Sequence, residues 1–134
     1  MQLDYITVPS FGDSRGNICI LEKGSLPFNI KRIYYIYNTP ANSTRGVHGH
    51  KKLSQVLLCM HGSVQVTIHD GIKKRRFKLS NPTKGLFIPK GHWREVKFLE
   101  PGSVLCVLAS RPFEKSDYIY SLEEFLAWRT KSKT

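Results

Sequence analysis

Arg45-Gly46-Val47-His48-Gly49-His50-Lys51-Lys52-Leu53-Ser54-Gln55 runs directly into Val56-Leu57-Leu58-Cys59-Met60-His61-Gly62. In an extended chain successive side chains alternate sides, so His48 and His50 share one face of a strand. Two neighbouring imidazoles can hold a metal, or serve as acid and base toward one small substrate. The rest of the chain reads as a scaffold for the two histidines.

Working outward, Ile30 to Tyr37 is rich in β-branched and aromatic residues and forms a strand, preceded by a short one over Asn17 to Glu22. Phe11 to Gly16 carries turn residues. Val64, Val66 and Ile68 alternate with Gln65, Thr67 and His69, and Asp70-Gly71 turns this strand into a hairpin with Ile72 to Leu79. Gly85 to Pro89, Trp93 to Phe98 and Val104 to Ala109 add strands separated by Lys90-Gly91 and Pro101-Gly102. Only the end is helical, where Ser121-Leu122-Glu123-Glu124 makes a capping box ahead of Phe125, Leu126 and Trp128. Many short strands with closely spaced turns specify an all-β sandwich or barrel, here one domain over 1–134 with a short C-terminal helix.

The chain has 134 residues and a net charge of +11, long enough for a real core and biased toward anionic partners. Cys19, Cys59 and Cys106 are widely spaced in apolar runs, which predicts buried thiols rather than a disulfide frame and suits the cytoplasm. The N-terminus shows no signal-peptide pattern, and no apolar run is long enough to span a membrane. Lys73-Lys74-Arg75-Arg76 follows a hairpin turn and reads as a solvated edge strand guarded by charge. A nucleic-acid patch is the sharper alternative, but no aromatic residues interleave with the run, so no nucleic-acid partner is expected.

His-x-His, then Gln55, then Gly62 resembles the first motif of the cupin superfamily, which implies a jelly roll. The second motif reads Gly85-Leu86-Phe87-Ile88-Pro89-Lys90-Gly91-His92-Trp93-Arg94. Metal-binding cupins carry Glu where this chain has Gln55, and a third His where it has Arg94. A guanidinium has no lone pair to give, and a neutral amide is a weak ligand. His92 shares a strand face with Arg94 but stands two residues early. No metal is therefore expected. Two histidines facing an arginine suit an anionic oxygen, such as a phosphate or a developing enolate.

Arg32-Ile33-Tyr34-Tyr35-Ile36, Arg45 to Lys51, Gln55 to Cys59, Gly85 to Pro89, Trp93-Arg94-Glu95, Val107 to Ser110 and Asp117-Tyr118-Ile119 together resemble the WxcM-like sugar 3,4-ketoisomerases. The resemblance implies a homodimeric jelly roll without metal or other cofactor. Its substrate would be dTDP-4-keto-6-deoxy-D-glucose, whose keto group moves from C4 to C3 in making deoxy- and aminosugars of surface glycans. It implies His48 and His50 as the proton-transfer pair, with His48 the favoured base. Tyr35 is the third catalytic candidate, a donor to a ring oxygen, a support for a histidine, or simply a core aromatic. Arg32, Arg94 and Lys51 or Lys52 are candidates for the diphosphate, with Gln55 and Trp93 also in the site; Trp93 serves equally well as core. Arg45 precedes the histidines by an odd number of residues and faces them only if the strand bulges. The loop residue Arg15 and the residue after Trp93, Arg94, stand where the resemblance places control of the C4 configuration. Arginine at both is a mixed combination, which leaves that configuration open.

Overall fold

The computed structural model describes residues 1–132. Residues 133 and 134, the end of the 1–134 span expected above, lie outside the described residues. In chain order the strands are β1 (Asp4–Thr7), β2 (Ser10–Asp13), β3 (Gly16–Cys19), β4 (Arg32–Ile36), β5 (Thr44–His50) and β6 (Gln55–His61). There follow β7 (Val64–His69), β8 (Lys74–Leu79), β9 (Lys84–Ile88), β10 (His92–Phe98), β11 (Val104–Ala109) and β12 (Tyr118–Ile119), then helix α1 (Leu122–Lys131). One sheet runs β1-β9-β6-β11-β4, a second runs β12-β5-β10-β7-β8, and β2 and β3 form a separate hairpin. The architecture is a cupin-like antiparallel jelly roll with a short C-terminal helix.

The alternation in sequence becomes layering in space. Leu57, Cys59, Leu86, Leu105 and Val107 from the first sheet meet Val64, Val66, Ile68, Phe77, Val96 and Phe98 from the second in one core. Strands β6 and β11 are apolar on both faces because the first sheet is covered on its outside too. There Val56, Leu58, Phe87, Cys106 and Leu108 pack under Leu21, Leu26, Phe28 and Ile30. The outer face of the second sheet is closed by α1, where Trp93, Ile119 and Phe125 pack with Leu122, Leu126 and Trp128. The Ser121 hydroxyl accepts from the Glu124 amide and starts the helix, as the capping residues specify. The Asp70-Gly71 hairpin joins β7 to β8, and β8, with its run of cations, is a sheet edge.

Three expectations change. Residues 11–16, expected as a turn, fall within the exposed β2–β3 hairpin, in which 10–13 pair with 16–19, and the strand read over 17–22 ends at Cys19. Cys19 is consequently exposed, while Cys59 and Cys106 are buried free thiols. Its hairpin carries the apolar side chains of Phe11 and Ile18, which no layer among the described residues covers. No helix among the described residues is long and apolar enough to cross a membrane.

Candidate active site

Strand β5 brings both histidines to one end of the jelly roll, with His48 opposite Arg94 and His50 opposite His92 on β10. Their rings meet edge to face, centroids 4.5 Å apart, and both are buried. Between Arg94/His48 and Val96/Arg45 the register slips by one residue, a β-bulge at Gly46, whose φ is +64°. The slip restores Arg45 to the side of His48, so the odd spacing that counted against it is cancelled. Gly49, between the histidines, lies under the helix: a Cβ there would stand 2.7 Å from Phe125 Cδ1. Phe125 is fully buried and has nowhere to go. Gly49→Ala is expected to cost about 1–3 kcal/mol by overpacking, read as a lowered melting temperature, with a loss of activity as β5 is pushed from the helix.

Arg94 is the second component. It is 2% exposed, donates from Nε to His48 Nε2 at 3.4 Å, and donates from its second terminal nitrogen (Nη2) to the Tyr34 hydroxyl at 3.0 Å. A donor aimed at Nε2 requires that nitrogen to be unprotonated, so His48 is neutral with its proton on Nδ1. Burial, then the Arg94 charge, holds the His48 pKa down at about 3. His50 is pushed to about 2 by burial first, then by competition with the adjoining His48 for a proton and by the Arg94 and Arg32 charges. Both imidazoles are therefore neutral across the physiological range. His50 Nε2, Arg94 Nη1 and both amide atoms of Gln55 are buried without a protein partner. Buried polar groups left unpaired cost about 1–3 kcal/mol each, which is the usual mark of a place prepared for a polar ligand or water.

Above this floor opens a pocket of about 580 Å³, lined by His48, Arg94, Arg32, Tyr34, Arg45, Phe113, Tyr118 and Tyr120 among others. Arg32 sits 4.6 Å from the Tyr34 ring centre and 5.4 Å from that of Phe113, and donates to the Tyr118 hydroxyl at 3.3 Å. It has no carboxylate partner, so the pocket holds three arginines, Arg32, Arg45 and Arg94, outside every ion pair among the described residues. The Tyr118 ring packs against His48 at 4.9 Å and His50 at 4.6 Å, with Tyr120 stacked beyond it at 5.8 Å. Burial pushes the Tyr118 pKa up and keeps its hydroxyl protonated. Chemically this is an anion-attracting cleft with a neutral base at its bottom and phenol donors on its walls. A guanidinium engaging the imidazole lone pair does not suit a metal centre, and no cluster of three or more His, Cys, Asp or Glu forms among the described residues.

The structure thus unites His48, Arg32, Arg45 and Arg94 in the pocket lining, with His50 in ring contact behind His48, and it buries Gln55 on β6. The other candidates stand differently. Tyr35 also lines the pocket, but from the exposed side of β4, 64% exposed and beside Tyr37. The inward phenol is that of Tyr34, one residue earlier, as strand alternation requires. Trp93 is 2% exposed under the helix, with its indole N–H on Glu95, so it is core and not a cover for substrate. Lys51 and Lys52 follow β5 in a turn outside the pocket, and Lys51 lines a separate depression with Lys90 and Arg129. Arg15 stands at the tip of the β2–β3 hairpin, paired with Asp13 at 2.6 Å and apart from the pocket. Phe113, Tyr118 and Tyr120 were missed. They come from a segment with no periodicity to mark it, and only the return of β12 beside β5 brings them in.

Residues 1–130 match the family described as FdtA: WxcM-like, C-terminal. A TDP-4-oxo-6-deoxy-alpha-D-glucose-3,4-oxoisomerase of Aneurinibacillus thermoaerophilus is 38% identical over 132 residues, covering 98% of this chain and 95% of that protein. The crystal structure of a 3,4-ketoisomerase from Helicobacter canadensis superposes with a TM-score of 0.92 at 40% identity, over 97% of this chain and 98% of the other. A 3,4-ketoisomerase from Thermoanaerobacterium thermosaccharolyticum is similar with a TM-score of 0.93 at 34% identity, over 98% and 96% of the two chains. It was solved as a His-to-Asn mutant in complex with TDP-4-keto-6-deoxyglucose. With the match spanning nearly the whole chain, this protein belongs to the WxcM-like, C-terminal (FdtA) family.

Proposed function

We propose that the protein is a dTDP-4-keto-6-deoxyglucose 3,4-ketoisomerase, with 1–134 acting as one catalytic domain. The observation that carries the reading is His48, buried, neutral and facing the pocket with its lone pair toward Arg94. The named activity of the relatives supports the choice of substrate. The isomerisation is redox-neutral. Substrate displaces the long 3.4 Å Arg94 contact from His48 Nε2, which then takes the C3 proton while a pocket donor protonates O4. The resulting enediol loses the proton of its O3 hydroxyl and regains a proton at C4, leaving a ketone at C3 and a hydroxyl at C4. Arg94 and the phenols of Tyr34 and Tyr118 stabilise the negative charge that develops on oxygen. His50, in ring contact with His48, shares the proton traffic. The diphosphate goes to Arg32 and Arg45, and its negative charge beside the site favours the protonated form of His48 in the complex.

The reading includes a homodimer in the cytoplasm, serving deoxysugar synthesis for surface glycans. Phe11 and Ile18 on the β2–β3 hairpin, and Ile33, Tyr35 and Tyr37 along the edge of the first sheet, are exposed apolar side chains in one chain. A two-stranded hairpin is marginal by itself, and a second copy would cover both features. Arg15, committed to Asp13 away from the pocket, would reach a substrate only across such an interface.

A proton-NMR time course with dTDP-4-keto-6-deoxyglucose tests the activity and reads the C4 configuration of the product at once; no 3-keto product at stoichiometric enzyme would end the proposal. Thermal shift supplies the companion test. At 100 times the dissociation constant a ligand stabilises by about 2.7 kcal/mol. dTDP is expected to raise the melting temperature, with UDP and GDP giving little at equal concentration. Equal shifts for all three would point to a different nucleotide sugar.

A further inference from the structure

The mechanism leaves one buried carboxylate unused. Asp117 is 4% exposed and ends the 3-10 turn Lys115–Asp117 that leads into β12. A buried aspartate ordinarily faces a cation, yet Asp117 makes no ion pair among the described residues. Its side chain accepts from the Lys52 amide at 2.7 Å through Oδ1 and from the Leu53 amide at 3.2 Å through Oδ2. Its own backbone carbonyl accepts from the Lys51 amide at 3.1 Å. Three consecutive N–H groups of the turn leaving His50 are thus held by one residue. The next residue pairs back on β5: Tyr118 lies opposite His50 and Ile119 opposite Gly49. The Tyr118 ring contacts both imidazoles, and its hydroxyl is fixed by Arg32.

We infer that Asp117 is a positioning residue for the proton-transfer pair, tying the turn after His50 to the segment that lays Tyr118 against His48 and His50. The inference rests on the proposed catalytic role of those histidines. Charge-assisted hydrogen bonds from backbone amides are strong and directional, so the carboxylate sets the turn more firmly than a neutral side chain does. The turn and β12 are the two segments flanking the end of β5. With both fixed to one residue, the backbone that carries the two imidazoles is held where it leaves the strand. Lys51 and Lys52 contribute their amides to this arrangement rather than their charges to the substrate. Displacement of a reacting group by about 1 Å is enough to lose about 100-fold in rate, so the effect belongs in kcat.

Asp117→Asn tests this in the full-length protein. Asn keeps the shape and one acceptor but turns an NH₂ toward an amide donor. The expected result is a kcat lowered about 10- to 100-fold, with KM and the dTDP dissociation constant within about threefold of the parent. The side-chain ¹⁵N resonances of His48 and His50 are expected to shift without any substrate present. A folded Asn variant with unchanged kcat and unmoved imidazole resonances overturns the inference. So does a loss of dTDP affinity matching the loss of rate, which would mark a general structural role. Should the Asn variant not fold, Asp117→Glu decides by the same readouts, because its extra methylene cannot hold both amides without displacing the turn. Full activity with unmoved resonances in that variant overturns the inference as well. An inactive parent enzyme would sink the functional reading, while the substrate-free resonances would still report on Asp117.

Discussion

His48→Asn is expected to abolish exchange of the substrate's C3 proton with deuterated water, a loss of about 1,000-fold or more, while dTDP affinity stays within about threefold. The two effects separate because the residues that attract the diphosphate are not those that move the proton. Arg32 is held by Tyr34, Phe113 and Tyr118. None of these contacts involves His48. Asn removes the ring nitrogen that accepts the Arg94 Nε–H, since its shorter side chain reaches only to the Nδ1 position, and it leaves the contacts of Arg32 untouched. His50→Asn should likewise bind dTDP and lose exchange, but its ring is more deeply set and touches the pocket through His48. Normal C3 exchange in both variants would show that the base lies elsewhere. Loss of dTDP binding in step with exchange would show that the histidines hold the ligand instead.

The second large effect concerns acid. Both imidazoles are neutral in the folded protein, with pKa values pressed far below 6.5 by burial and by cations. The unfolded chain protonates them near pH 6.5, so it binds more protons than the native state at every pH between there and about 3. Stability is thus fully present above pH 6.5 and is lost as the pH falls, by about 1.4 kcal/mol per histidine per pH unit. His92, lowered chiefly by burial, adds in the same direction. The melting temperature is expected to drop steeply between pH 6.5 and 4.5. A His48→Asn/His50→Asn double variant should follow a flatter curve over that window, crossing above the parent at low pH. Carboxylate protonation and the repulsion of a chain with net charge +11 act on both proteins alike. Parallel curves for the two would refute the neutral, desolvated pair.

Much of this was written in local sequence. The turn pairs Asp70-Gly71 and Pro101-Gly102, the alternation of Val64, Val66 and Ile68, and the capping box at Ser121 each specify their own element. Side-chain period and turn chemistry act within a few residues, so they survive without knowledge of the fold. The shared face of His48 and His50 is of the same kind. Arg94 could be placed opposite them because the second motif fixes it to a strand whose register is set by buried neighbours.

Questions of side and of neighbour were not settled by local pattern. Choosing between Tyr34 and Tyr35 needed the phase of β4, and the run Ile33-Tyr34-Tyr35-Ile36 is apolar at every position, so its pattern does not reveal which face is inward. Trp93 belongs to the core because α1, distant in sequence, lands on it. Arg45 rejoins the site through a bulge at Gly46 that shifts the parity of one strand by a single residue. Asp117, Tyr118 and Tyr120 enter only because β12 returns to pair with β5. The sequence by itself determined the strands, the turns and the two imidazoles on one face, since covalent geometry and local hydrogen bonding dictate those. Burial, and with it the neutral state of the histidines, the aim of Arg94 and the work of Asp117, was decided by the tertiary structure alone, because desolvation and field depend on which distant segments close over a group.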